Sequence, residues 1–316
     1  MDYQKREGFC QTGTIFDIKR FATHDGSGLR TTIFFKGCPL RCVWCQNPEG
    51  LEKEPGPVYF ANKCIGCGTC LKTCTGEGVT ADERGIHVHK DREDDWDRII
   101  YNCPTGAIAM DARTCTVQEL VREAQKDCVF YRRGSGGVTI SGGEPLMQAD
   151  FAAGLLAELK KLGIHTAIET SLFASREALE KVLPHLDQIY GDMKLADAGE
   201  HEAFTGVSNE CIRKNMEYLL TSPEREQVIV RTPLIPGHTA TKHNLAAIAE
   251  FLSGIYPQVR YELLNYNPLA EAKYHLVGRE YCFQENPGLY TRAQMLEFGE
   301  IVKEHGIRNL IMETGA

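Results

Sequence analysis

Three observations predict an α/β fold, an incomplete (β/α)6-type parallel barrel carrying a small cysteine-rich insert. Apolar strand-like runs alternate with helical stretches of about 10–15 residues along the second half of the chain, the pattern of βαβ units on a parallel sheet. Polar and glycine motifs stand at the C-terminal ends of those runs, where such sheets place their sites. Residues 53–110 interrupt the alternation with cysteines, glycines and a charged run, Asp91-Arg92-Glu93-Asp94-Asp95.

The first strand is expected at 31–36, ending in Gly37-Cys38. Thr116-x-x-Glu119 caps the helix that resumes the main fold after the insert. Residues 138–141 form the next strand and run into Gly142-Gly143-Glu144. Asp150 is expected to cap a helix in which Phe151, Leu155, Leu159 and Leu162 recur at helical spacing, with Gly163 as the stop. A strand at 165–170 follows, then a helix capped by Ser175 and closed by Pro184. Further strands are expected at 188–195, 227–234 and 259–264, with a helix at 243–251 before the last. Thr291-x-x-Gln294 reads as a capping box for a helix bearing Met295, Phe298 and Val302, and a strand at 309–312 ends the pattern. Six core strands and a terminal one fall short of the eight of a closed barrel. The expected division is 1–52 and 111–316 for the barrel and 53–110 for the insert.

Lys and Arg number 35 and Asp and Glu 43, a net charge of −8 over 316 residues, which argues against a broad nucleic-acid-binding face. No apolar run approaches the roughly 20 residues of a membrane helix. Met1-Asp2-Tyr3-Gln4-Lys5-Arg6-Glu7 has no apolar stretch behind it, so no signal peptide is expected and the cytoplasm is the default location. Disulfides are rare there, which makes the 13 cysteines informative. Cys10, Cys74, Cys115, Cys128, Cys211 and Cys282 are scattered. Cys38, Cys42 and Cys45, and Cys64, Cys67 and Cys70 with Cys103, stand at the spacing of metal or iron–sulfur ligands.

Cys38-x3-Cys42-x2-Cys45 supplies three thiolates, one short of a closed tetrahedral zinc site. A four-iron cluster on three thiolates keeps one iron open to a small molecule. The spacing, with Trp44 before the third cysteine, resembles the signature of the radical S-adenosylmethionine superfamily. His24-Asp25-Gly26-Ser27-Gly28-Leu29-Arg30-Thr31-Thr32, Phe35-Lys36-Gly37-Cys38, Trp44-Cys45-Gln46-Asn47-Pro48-Glu49 and Gly137-Val138-Thr139-Ile140-Ser141-Gly142-Gly143-Glu144-Pro145-Leu146 resemble the activating enzymes of glycyl radical enzymes.

The resemblance implies an open iron that chelates S-adenosylmethionine and donates one electron to its sulfonium. A 5′-deoxyadenosyl radical then takes hydrogen from a glycine Cα of a large partner enzyme. It further implies that Gly142-Gly143-Glu144 holds the ligand's ammonium, and that Asp192-Met193-Lys194 binds ribose hydroxyls and carboxylate, since Asp192 and Lys194 share one face of a strand. Arg231 would pair with a carboxylate. Trp44 would pack the adenine edge, and Asn267 stands where several relatives carry a histidine against the adenosyl group. Glu169, Thr170 and Asp192 would hold a monovalent cation. Asp25, Gly26, Gly28 and Arg30 would receive the partner's glycine loop.

Cys64-x2-Cys67-x2-Cys70-x3-Cys74 is the bacterial ferredoxin run, and Cys103-Pro104 resembles the end of a second one. Counting back from Cys103 by the same spacing gives Ile99, Trp96 and Glu93, none of them a thiol. Because the fourth cysteine of each run ligates the other cluster, a ferredoxin-like insert with one auxiliary four-iron cluster on Cys64, Cys67, Cys70 and Cys103 is expected. Cys74 is then an orphan thiol and a second auxiliary cluster is not expected. The alternatives are Cys74 as fourth ligand, or a structural zinc site. The expected electron donor is a ferredoxin or flavodoxin. Expected partners are isethionate sulfite-lyase, a diol dehydratase or a benzylsuccinate-type synthase, in that order. Neither nucleic acid nor membrane is expected. The rival readings are a radical enzyme acting on a small molecule or other peptide, and a non-catalytic electron carrier.

Overall fold

The computed structural model describes residues 11–83, 85–132 and 134–312; Cys10 and the opening segment 1–7 lie outside them. The strands are β1 (Thr12–Ala22), β2 (Arg30–Phe35), β3 (Pro57–Tyr59), β4 (Val79–Asp82), β5 (Gly85–Val88), β6 (Ile108–Met110), β7 (Arg113–Thr116), β8 (Gly137–Gly142), β9 (His165–Thr170), β10 (Gln188–Asp192), β11 (Val228–Pro233), β12 (Arg260–Leu264) and β13 (Asn309–Met312). The helices are α1 (Thr69–Thr73), α2 (Trp96–Tyr101), α3 (Val117–Gln125), α4 (Cys128–Tyr131), α5 (Ala149–Lys161), α6 (Arg176–Val182), α7 (Ala198–Thr205), α8 (Glu210–Thr221), α9 (Lys242–Ile255), α10 (Glu271–Val277) and α11 (Arg292–Glu304).

Nine strands form one sheet in the order β13-β12-β11-β10-β9-β8-β2-β1-β7. From β13 to β2 every neighbour pairs in parallel, whereas β1 runs antiparallel to both β2 and β7. Side chains alternate across each strand. Ile33, Ile140, Ile168, Ile189 and Val230 enter the large core shared with the helices. Thr32, Thr139, Glu169, Tyr190, Asp192, Arg231 and Glu262 occupy the alternate positions and form the polar face that carries the site. Leu155, Leu156 and Leu159 of α5 are fully buried, a burial worth roughly 1.5–3 kcal/mol for each.

Both capping boxes form: Thr116 with Glu119 at α3 and Thr291 with Gln294 at α11. Ser175 caps α6 through the Ala178 N–H at 3.2 Å. Asp150 does not cap α5. A 3-10 turn, Pro145–Gln148, leads straight into the helix with Gln148 as its cap, so Asp150 falls in the first turn and pairs with Lys181 at 2.8 Å. The strand expected at 188–195 closes at Asp192 because side-chain amides replace ladder bonds beyond it. Asn244 Nδ2 donates to the Lys194 carbonyl (3.0 Å), and Asn209 Nδ2 donates to those of Leu195 (2.8 Å) and Ala196 (2.9 Å).

Between β2 and β7 the chain forms two small antiparallel pairs, β3 with β6 and β4 with β5, and two short helices. They gather a small apolar cluster around Val79, Ile99 and Ile108. Entry and exit of this segment lie side by side: Asp111 N donates to Gly56 O and Gly56 N to Asp111 Oδ1, both at 2.9 Å. Asp111 Oδ2 also accepts from buried Lys36 Nζ at 2.7 Å, joining the segment to the end of β2. Among the described residues no helix is long and apolar enough to cross a membrane.

Candidate active site

Cys38, Cys42 and Cys45 stand on the loop that leaves the C-terminal end of β2. Backbone bonds fix that loop from two sides: Gly37 N to Gly50 O (2.9 Å), Cys38 N to Leu51 O (3.1 Å), Arg41 N to Thr205 O (2.7 Å) and Val43 N to Phe204 O (3.1 Å). Burial pushes the Cys38 and Cys42 thiols up to about 12 and Cys45 up to about 11. The Lys194 ammonium opposes this at all three, so the thiols share one electrostatic neighbourhood with it. A soft trio of this kind suits iron–sulfur ligation, in which the metal supplies the positive charge that burial denies to the thiolates. Among the described residues no three His, Cys, Asp or Glu side chains form a site for a single metal ion.

The Gly142-Gly143-Glu144 turn lies against the base of this loop. Gly143 N donates to Phe35 O at 2.8 Å and Glu144 N to Gly37 O at 2.7 Å. A Cβ on Gly143 would collide with the carbonyl oxygens of Gly37 and Gly50, and Gly142 has φ +115°. The glycines are therefore required by the approach of two backbones. Glu144 is fully buried, and its carboxylate accepts from Thr170 Oγ1 (2.7 Å), Ser171 N (2.7 Å), Ser171 Oγ (2.5 Å) and Leu146 N (3.1 Å). It clasps the turn to the end of β9, and burial raises its pKa despite these donors.

Lys194 Nζ pairs with Asp192 Oδ2, although β10 closes at Asp192 and the lysine stands on the loop beyond it rather than on the expected strand face. Burial would lower the lysine, but Asp192 and the nearby thiol of Cys42 hold it above the usual range. Arg231 is engaged by the chain's own carboxylates: Nη1 donates to Glu169 Oε1 at 2.5 Å and Nε to Glu262 Oε2 at 2.6 Å. Its guanidinium carbon lies 3.7 Å from the Tyr190 ring centroid. Glu169 Oε2 accepts from Ser141 Oγ at 2.6 Å. The three residues expected to share a cation thus each face another partner: Glu169 faces Arg231, Asp192 faces Lys194 and Thr170 faces Glu144.

Several assigned side chains are interior. Trp44 is 2 % exposed in a cluster with Leu195, Ile235 and Tyr266, its ring 5.2 Å from that of His238. Met193 belongs to the large core. Exposed Asn267 accepts from Leu269 N at 3.0 Å and caps the short turn Pro268–Ala270. Arg30, expected to meet a partner, is 1 % exposed; Nε donates to Thr139 Oγ1 (2.6 Å) and Nη2 to Val138 O (2.7 Å), so it props its loop from beneath. Asp25 Oδ2 accepts from Thr32 Oγ1 at 2.6 Å, and Gly26 and Gly28 adopt φ +124° and +69°, turning the loop onto the polar face.

In the insert, Cys64, Cys67, Cys70 and Cys103 line one small cavity of about 20 Å³. Cys74 does not line it. Its thiol donates to Asp94 Oδ2 at 2.9 Å, and the same carboxylate accepts from Thr75 N, Gly76 N and Gly78 N at 3.0–3.1 Å. Those bonds hold Asp94 well below the usual carboxylate range. At Cys103, burial raises the thiol, but the backbone N–H groups of Ile108, Thr105 and Ala107 outweigh it and leave it lowered.

Glu262, Tyr190, Ser171 and the Lys36–Asp111 pair did not emerge from the sequence. Glu262 had a signal, an acid at an inward position of an otherwise apolar strand. The clasp by Ser171 and the pairing of Lys36 across the insert had none.

A family model described as Radical SAM superfamily matches residues 101–252. The chain is 37% identical over 308 residues to the indoleacetate decarboxylase activating enzyme of Tractidigestivibacter scatoligenes, covering 94% of this chain and 96% of that one. It is 37% identical over 274 residues to the isethionate sulfite-lyase activating enzyme of Nitratidesulfovibrio vulgaris (85% and 89% covered). It is also 37% identical over 308 residues to the benzylsuccinate synthase activating enzyme of Thauera aromatica (93% and 90% covered). A solved domain of pyruvate-formate lyase-activating enzyme from Bacteroides vulgatus is 27% identical, with a TM-score of 0.45, over 56% of this chain and 99% of that one.

Proposed function

We propose a residue-level account for a chain that belongs to the glycyl-radical-enzyme activating enzymes of the radical S-adenosylmethionine superfamily. The observation that carries it is the buried Cys38/Cys42/Cys45 loop, seated on the Gly-Gly turn and sharing its electrostatic neighbourhood with Lys194. The three thiols hold a four-iron cluster. When bound, that cluster supplies the single electron that splits S-adenosylmethionine into methionine and the 5′-deoxyadenosyl radical, which takes the glycine hydrogen of the partner.

In this reading Lys194 attracts the ligand's carboxylate, and Asp192 accepts from ribose hydroxyls. The ammonium lies at the Gly142–Gly143 backbone, with buried Glu144 holding that turn in shape. Arg231, held between Glu169 and Glu262, keeps the polar face neutral enough to admit a charged ligand; no separate cation is required. The loop at Asp25–Gly28 meets the partner's glycine segment through backbone, with Arg30 as its prop. The parallel strands are the wall of an incomplete (β/α)6-type barrel, and 53–110 is a ferredoxin-like insert.

The insert carries one auxiliary four-iron cluster, with Cys103 rather than Cys74 as fourth ligand, because Cys103 shares the cavity and Cys74 faces Asp94. About eight irons per chain are expected, with Cys103→Ala losing about half and Cys74→Ala none. Twelve irons, or the loss on Cys74→Ala instead, would overturn the assignment. The electron donor is a ferredoxin or flavodoxin. Partner candidates are isethionate sulfite-lyase, a diol dehydratase and a benzylsuccinate-type synthase, to which the relatives add indoleacetate decarboxylase. Dithionite-reduced protein should release 5′-deoxyadenosine and, with its cognate partner, raise a glycyl doublet in the electron spin resonance spectrum. Cys42→Ala should abolish both; persistence of either would refute the role of the three-thiol loop.

A further inference from the structure

We propose that the mouth of the insert's four-cysteine cavity is the landing site of an acidic, low-potential one-electron carrier protein. The proposal rests on the reading of that cavity as an iron–sulfur site. Each cleavage consumes one electron, and no side chain of the active site supplies it, so a carrier must approach from solvent.

The cavity opens outward. Cys67 is exposed and Ile65 is 67% exposed. Added Cβ atoms on Gly66 and Gly68 would meet nothing within 4 Å, so the loop over the cysteines has no protein cover. Lys63 and Lys72 are exposed and flank the cavity-lining segment 64–70 in sequence, and Lys63 Nζ lies 4.2 Å from the Phe60 ring centroid. Residues 61–73 and 101–108, which supply most of the cavity's lining, contain no carboxylate; the rest of the lining comes from Tyr59 of β3 and Ile86 of β5, with Asp82 and Glu83 at the β4–β5 turn. On a chain of net charge −8 the segment bearing Lys63 and Lys72 is locally basic. Four acids of the insert gather elsewhere: Asp91, Glu93, Asp94 and Asp95, against the two cations Lys90 and Arg92, line a second cavity beside Thr75. A partner with a negative face is therefore drawn to the mouth and repelled from the Cys74 side, which orients as well as attracts. Two exposed aliphatics, Ile65 and Leu71, beside Lys63 and Lys72 suit the low end of interface sizes, where redox encounters that must separate each turn are found.

The transfer balances simply. A flavodoxin hydroquinone anion becomes the neutral semiquinone, one electron enters the auxiliary cluster, and no bond or proton moves.

The test uses the full reconstituted chain and flavodoxin hydroquinone as probe, with oxidation followed by stopped flow at low and high ionic strength. For the wild type the second-order rate should fall steeply with salt. The Lys63→Glu/Lys72→Glu variant should react about tenfold or more slowly at low salt, with a flat salt dependence. Its iron content and dithionite-driven 5′-deoxyadenosine yield should stay at wild-type values. If charge reversal costs iron, Ile65→Asp provides the same comparison. An unchanged rate would overturn the proposal, as would a parallel fall in dithionite-driven turnover. Loss of glycyl-radical formation under dithionite with unchanged flavodoxin oxidation would assign the face to the glycyl radical enzyme instead, and equally overturn it. Failure of the underlying cluster reading shows separately, as full iron retention in Cys103→Ala.

Discussion

Lys36 and Asp111 form a buried ion pair, Nζ to Oδ2 2.7 Å, with side chains 1% and 8% exposed. Lys36 Nζ also donates to Glu49 O at 2.6 Å, and Asp111 Oδ1 accepts from Gly56 N at 2.9 Å. One pair thus joins the end of β2, the turn behind the cysteine loop and both ends of the insert. Asp111→Ala leaves an ammonium buried with only a carbonyl for company, and breaking one side of such a pair costs roughly 3–5 kcal/mol. That is about two to three and a half decades in the folding equilibrium. At roughly 2 °C per kcal/mol for a chain of this size, anaerobic thermal unfolding should shift down by about 6–10 °C. The double change Lys36→Met/Asp111→Leu removes both charges together and should recover most of the loss, since apolar replacement of a buried pair is often neutral or better. The iron retained on Cys38, Cys42 and Cys45 should fall in the single variant and return in the double one. A single-variant loss under about 1 kcal/mol would refute the view that this pair couples insert to loop.

Other outcomes follow from the same geometry. Gly143→Ala forces a methyl onto the Gly37 and Gly50 carbonyls, so a loss of about 1–3 kcal/mol is expected by thermal unfolding, with reduced iron loading. Glu262→Gln weakens one side of the Arg231 pairing and should cost about 1.5–3 kcal/mol; Arg231→Leu strands two carboxylates and should cost more, and the reverse order in denaturant titration would sink the network. Asp127 is lowered chiefly by its hydrogen bond from Arg20, with Thr31 assisting. Its folded pKa lies below its unfolded one, so the unfolded chain binds more protons between the two and stability rises with pH there. The contribution is present above the usual carboxylate range and lost as pH falls through the folded value. Asp127→Asn should flatten the acid limb of the stability profile, and an unchanged limb would exclude it.

The elements legible in the sequence are those where one physical signal dominates. The strand at 165–170 is legible to the residue because a short β-type run stands between a glycine stop and a polar motif. Thr116 and Thr291 declared their helices through reciprocal caps. By contrast, β1 mixes Asp17, Lys19 and Arg20 into a strand covered mainly on one side, which blurs its alternation. Helices α7 and α8 lie in a stretch whose polar faces hide the apolar stripe. At the site, residue type and spacing picked out Cys38, Cys42, Cys45, Asp192 and Lys194. They could not reveal that Glu144, Trp44 and Arg30 are interior, because burial depends on contacts far along the chain, such as Ser171 on Glu144 and Phe204 on Trp44.

The stem formed by β3 and β6 ends in a mutual clasp between Gly56 and Asp111. A tight turn joining those two residues would close the main chain without disturbing any strand of the nine-stranded sheet. The cysteine-rich insert is thus built as a plug-in appendage, one that ancestry or an engineer can splice out, exchange or transplant while the nine-stranded sheet stays intact.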